Sequence, residues 1–267
     1  MGRVVNASNT RRIKGGYMKK IYSLGFVLIV LFAMTMSATA MEKQTNGNPN
    51  PGILPLDSKP YGLTYGEWSA KWWQWEYSIP LTQNPLIDDT GVNAANGQSG
   101  PVWFLAGRFC TLPCEYPAAA TANREVNVPA GKALFFPILN VENDNLLYPS
   151  PFSEEELRNV AQAQMDTAEN LEAEVDGVSI KKLESYRVKS PVFTFHIPEN
   201  NIYDLFGFDL PAQDVPGAVD DGVYLMLHPL PVGRHIIHFK GDFPQNAPWG
   251  GFALDITYTI NVVPGKS

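Results

Sequence analysis

Between residues 252 and 262 apolar and polar side chains alternate without a break. Phe252, Leu254, Ile256, Tyr258, Ile260 and Val262 stand against Ala253, Asp255, Thr257, Thr259 and Asn261. An extended strand collects such a set on one face, so this stretch demands a sheet with one dry and one wet surface. Val102–Ala106 and Ala133–Phe136 are short apolar runs bounded by Gly and Pro, the pattern of strands buried on both faces. Val192–Phe195 and Val223–Leu227 continue the β pattern, and Asp176-Gly177 reads as a two-residue hairpin turn. With 22 Gly and 22 Pro in 267 residues, a turn-rich β protein fits better than a helical bundle. The expectation is a mainly β chain, a β-sandwich or jelly roll forming a single domain over 61–265, with two peripheral helices.

The first helix is expected over about 64–78. Thr64 and Glu67 form a capping-box pattern ahead of a tryptophan-rich run, and Pro80 ends it. Trp68, Trp72 and Trp75 fall on one helical stripe, which core packing explains; Trp73 and Tyr77 form a second pair on its shoulder. The second helix is expected over 153–172 from Ser153 and Glu156, with the stripe Leu157, Val160, Ala161, Met165, Ala168 and Leu171. Strand 223–228 and strand 235–240 are close enough in sequence to form an antiparallel hairpin with Leu227 opposite Ile237, which also puts His228 and His238 on one face.

Residues 1–40 carry six basic side chains and no acidic one, then an uncharged stretch from Ile21 ending Ala38-Thr39-Ala40. This reads as a secretory signal peptide cleaved after Ala40, with Met18 the better start and a retained anchor the one membrane contact on offer. Residues 41–60, polar and rich in Pro and Asn, read as a flexible leader. Cleavage leaves 14 basic residues against 27 acidic, a net charge of −13 that repels nucleic acid. Secreted or periplasmic surroundings are oxidising, so Cys110 and Cys114 are expected to close a small disulfide.

No catalytic constellation is legible. Gly97-Gln98-Ser99-Gly100-Pro101 has Pro101 where a nucleophile elbow needs Gly, and Gly131-Lys132 lacks the first Gly of a phosphate loop. Four features carry candidate chemistry. Trp73, Tyr77 and Trp249 are the aromatic side chains best placed to stack on a sugar. The run Asn140–Asn145, with Glu142 and Asp144, offers oxygens to Ca²⁺, against the simpler reading of a polar turn. His228 and His238 could share a metal across the expected hairpin, with His196 as a third ligand if its strand is adjacent. Glu67, Glu76, Glu142 and Asp144 are the carboxylates a hydrolase or lyase would use, provided two converge in a cleft.

Three blocks, YGEWSAKWWQW (65–75), GQSGPVWFLAG (97–107) and PAGKALFFP (129–137), resemble those of an uncharacterised family of exported microbial proteins. The resemblance spans residues 60–265 and implies export and one structural unit. That family has no assigned activity, so it implies no catalytic residues. The functional expectation is a non-enzymatic, envelope-associated or ligand-binding protein, its partner a glycan or another small extracellular ligand. The alternatives are a polysaccharide hydrolase or lyase, and a histidine-dependent metalloprotein.

Overall fold

In the computed structural model, residues 50, 52–109, 120–148, 150–247 and 251–265 are described. The chain is mainly β, with two multi-stranded sheets among the described residues and no barrel. Strands β1 (Val102–Phe104), β3 (Ala133–Asn143), β8 (Gln213–Leu227) and β6 (Arg187–Lys189) lie in that order in the first sheet, and β7 (Phe193–Ile197) pairs with another part of β8. The second sheet runs β2 (Ala120–Pro129), β10 (Phe252–Val263), β9 (Gly233–Phe243), β4 (Glu169–Val175) and β5 (Val178–Ser179). The sheets face each other through contacts such as Phe136 on Phe239, whose ring centroids are 5.1 Å apart.

Helix α1 (Tyr65–Tyr77) covers the opposite face of the first sheet. Phe135 meets Tyr65 and Trp68 of α1, whereas its neighbour Phe136 meets the second sheet, as strand alternation requires. A sheet covered on both faces must be apolar on both, which is why β3 and β8 read as continuous apolar runs. The capping box forms as expected: Thr64 Oγ1 accepts from the Glu67 N–H, and the Thr64 N–H donates to Glu67 Oε2 at 2.7 Å. Gly66 lets the helix approach β6, because a Cβ there would stand 2.3 Å from the Lys189 carbonyl oxygen.

Ten of the thirteen α1 residues are buried, so the helix is interior nearly all round rather than amphipathic. Trp68, Trp72 and Trp75 are core, and so is Trp73, at 4% exposed. Each of the four indole N–H groups has an acceptor: Pro60 O, Leu105 O, Asp220 Oδ1 and Asn96 O for Trp68, Trp72, Trp73 and Trp75. Trp73 is therefore not the ligand-facing ring expected from its place on the shoulder; the first sheet covers that shoulder too.

Three other expectations are corrected. Helix α2 (Glu154–Met165) keeps the Ser153 capping box but stops seven residues short of 172, and Leu171 belongs to β4. The hairpin of 223–228 with 235–240 does not form, since β8 pairs with β3, β6 and β7 while β9 pairs with β10 and β4. On β8, Tyr224 and Met226 are fully buried beneath α1 and its approach segment. Part of the supposed leader is docked: Ile53 is buried and bridges to Leu227. The β4–β5 hairpin does turn at Asp176-Gly177, both with positive φ, and β10 buries the predicted face from Leu254 to Val262.

Strand β2 carries no clear alternation of large apolar residues. Its inward face is Ala120, Ala122, Arg124, Val126 and Val128. The Arg124 guanidinium is buried and donates to the carbonyls of Pro85, Asp88, Ala106 and Gly107 and to the Tyr258 hydroxyl.

Because Trp72 is 1% exposed among rings and a carbonyl, Trp72→Ala should cost about 3–5 kcal/mol of stability in urea unfolding. Lys71→Ala, on the exposed side of the same turn, should stay within about 0.5 kcal/mol.

Candidate acidic cleft beneath an aromatic rim

A β-bulge decides where the site lies. The β3–β8 register shifts between Pro137 and Leu139, and Pro137 brings no N–H to the ladder. Before the bulge the odd-numbered Phe135 faces α1; after it the even-numbered Asn140 and Glu142 do, with Asn140 donating to Tyr224 and Glu142 accepting from Tyr77. Asp144, two residues on, keeps the same side.

At this end of α1 a cleft of about 360 Å³ opens, lined by Tyr77, Glu142, Asn143, Asp144, Leu147, Tyr148, Tyr203, Phe206 and Phe208. Tyr203 and Phe206 belong to a short 3₁₀ turn, Ile202–Phe206, which Asn201 caps by accepting from the Tyr203 N–H while its own amide donates to Pro198 and Leu210. Gly207, at φ 84°, ends the turn and releases Phe208 to the rim. Leu147, Tyr148, Phe206 and Phe208 are each more than 40% exposed, an apolar rim above a polar floor.

The floor is two carboxyls and two phenols. The Tyr77 hydroxyl donates to Glu142 Oε2 at 3.0 Å, and the Tyr203 hydroxyl donates to Asp144 Oδ2 at 3.1 Å. The Glu142 and Asp144 carboxyls share this floor, close enough for each to shift the other's protonation. Glu142 Oε1 is shut off from solvent and receives no hydrogen bond from a donor group. Two carboxylates placed this close resist being ionised together. Burial, followed by the neighbouring Asp144 charge, pushes Glu142 well above the usual carboxylate range, and burial raises Asp144 as well. The phenols Tyr77 and Tyr203 are raised by burial and then by the adjacent Glu142, so both stay protonated donors.

Two more carboxyls are buried away from the cleft, Asp220 beneath α1 and Glu76 on the last turn of α1 itself. Asp220 accepts from the Trp73 indole and the Tyr224 hydroxyl, both at 2.7 Å, and burial pushes it up to about 7. Glu76 is wholly buried, and burial raises it to about 8, outweighing the help of Asn84 and the Arg124 charge. The adjacent Asp221 points the other way, into a bidentate pair with Arg187.

The remaining candidates disperse. Glu67 serves the cap at the far end of α1 and is held below the usual range by the Thr64 N–H. His238 pairs with Asp255 on the second sheet, His196 with Asp214 on β7 and β8, and His235 with Asp176, while His228 is exposed at the end of β8. The asparagine side chains of 140–145 diverge, their amide N–H groups donating from Asn140 to Tyr224, from Asn143 to Gln164 and from Asn145 to Phe152, instead of closing together on one cation. No group of three His, Cys, Asp or Glu able to hold a metal occurs among the described residues. Cys110, Cys114 and Trp249 lie outside the described residues, as does the segment read as a signal. No helix among the described residues is long and apolar enough to cross a membrane.

No family model matches this chain, and no curated protein or solved structure is significantly similar to it. The site stands on its geometry.

Raised carboxyls have a consequence for stability. Glu76 and Asp220 bind a proton more tightly folded than unfolded, so their contribution is full below their unfolded values of 4.5 and 3.8. It is lost as pH climbs through about 7 and 8. The melting temperature should therefore fall by about 5 °C or more between pH 5 and pH 8, and Glu76→Gln should shrink that drop. A melting temperature that is flat or rises over this range contradicts the protonation assigned here.

Proposed function

We propose that the chain is an exported, non-enzymatic ligand-binding protein, and that a glycan or a similarly hydroxyl-rich molecule occupies the cleft beneath Tyr148 and Phe208. The carrying observation is the pairing of solvent-exposed rings on the rim with a floor of hydrogen-bonding oxygens. A sugar has the complementary build, an apolar C–H face for ring stacking and hydroxyls at its edge for carboxyls and phenols. Export is supported by the basic, then apolar, then small-residue order of residues 19–40.

Of the two expected aromatic contacts among the described residues, Trp73 and Tyr77, Tyr77 alone reaches this cleft, and it does so with its hydroxyl rather than an exposed face. Hydrolysis by separated carboxylates has less behind it. Glu142 and Asp144 are tied up by Tyr77 and Tyr203 and raised by burial, whereas glycoside chemistry needs an ionised carboxylate facing the acid across the scissile bond. Glu76 is sealed in the interior on the last turn of α1, and Glu67 is at the other end of that helix.

A glycan array followed by titration calorimetry tests the proposal. Phe208→Ala and Tyr148→Ala should each weaken the bound glycan by about fivefold with little change in melting temperature. Absence of any glycan ligand, or rim variants that bind as well as the parent, contradicts it.

A further inference from the structure

The floor of the cleft lacks one thing. Glu142 Oε1 is buried beside a second carboxyl and has no donor, and none of the nine residues lining the cleft is basic. A positive charge at this point has to arrive with the ligand. A metal ion is disfavoured as that charge, because no group of three ionisable ligands is present among the described residues and the surrounding side chains are rings. Rings with an acidic floor favour an organic cation, whose charge sits against aromatic faces and whose N–H groups supply hydrogen bonds.

We propose that the cleft recognises an ammonium group carried on an amino sugar, which donates hydrogen bonds to Glu142 and Asp144. This rests on the glycan reading above and specifies its chemistry. The exchange balances in charge and atoms: R–NH₃⁺ enters, the O–H bond of the carboxyl that holds a proton breaks, that proton leaves to solvent, and the ligand's own covalent bonds are unchanged. The ring C–H face then lies against Phe206 and Phe208, while Tyr77 and Tyr203 keep donating to the outer oxygens of the now ionised pair. The groups that set the proton's release are Tyr77 from α1, Tyr203 from the 3₁₀ turn, Asp220 from β8 and Asp144 beyond β3. None of these is cationic, so the ligand alone supplies the compensating charge.

Calorimetry on the purified protein, run near pH 6.5 in two buffers of different ionisation enthalpy, separates the outcomes. The probes are the glucosamine tetrasaccharide and its N-acetylated counterpart, which lacks the ammonium. The glucosamine form should bind about tenfold tighter and release up to one proton per site. Glu142→Gln, of nearly the same shape, should remove both the preference and the proton release; Asp144→Asn serves as the second variant if the first melts early. Equal binding of the two tetrasaccharides without proton release overturns the ammonium inference and leaves the glycan reading standing. Binding of neither overturns both.

Discussion

The inner sheet of this protein is covered on one face by α1 and on the other by the second sheet and α2, so water cannot solvate a charge placed within it. Every ionisable group there must be neutral or paired, since an isolated buried charge costs far more than marginal folding stability allows. Both solutions appear side by side on β8. Asp221 is ionised against Arg187, while Asp220, one residue earlier and facing α1, receives an indole and a phenol and holds its proton. Arg124 shows the same constraint for a cation, with all its donors spent on carbonyls and one hydroxyl.

The cleft is where this dry layer reaches the surface. The bulge after Pro137 turns Glu142 toward α1, Tyr77 ends the helix at the same level, and the capped turn of Tyr203 closes the far side. Protonated carboxyls that only fill space in the interior thus become, at the rim, groups able to exchange their proton for a ligand's donor. Interior packing and binding chemistry follow from one rule about desolvation.

Much of the fold was legible because local physics dictates it. The caps at Thr64 and Ser153 need only four residues, the Asp176-Gly177 turn needs two, and β10 displays its buried face residue by residue. What failed depends on partners distant in sequence. Tyr224 and Met226 are apolar because α1 covers them, which no count along β8 reveals, so a hairpin with β9 was expected where a crossing between sheets occurs. Strand β2 hides because the first three residues of its inward face are two alanines and an arginine, leaving only Val126 and Val128 as larger apolar side chains. Helix α2 was overextended because Ala168 and Leu171 fit its stripe, yet the strand that follows claims Leu171. Glu142 and Asp144 were named for their oxygens, but the parity change that joins them to Tyr77 arises from a bulge. Tyr148, Tyr203, Phe206 and Phe208 were missed; Asn201 ahead of Tyr203, with Gly207 after Phe206, was the available signal for a turn presenting rings.

The account stands on neutral carboxyls on and beneath α1. Carbon-detected NMR of the Asp and Glu side-chain carboxyls, followed from pH 4 to pH 9, observes them individually. Glu76 should titrate near 8 and Asp220 near 7, with Glu142 and Asp144 displaced upward together. Four carboxyls all ionised by pH 5 would mean that charge is tolerated inside this layer, and the explanation of both the core and the cleft would fall.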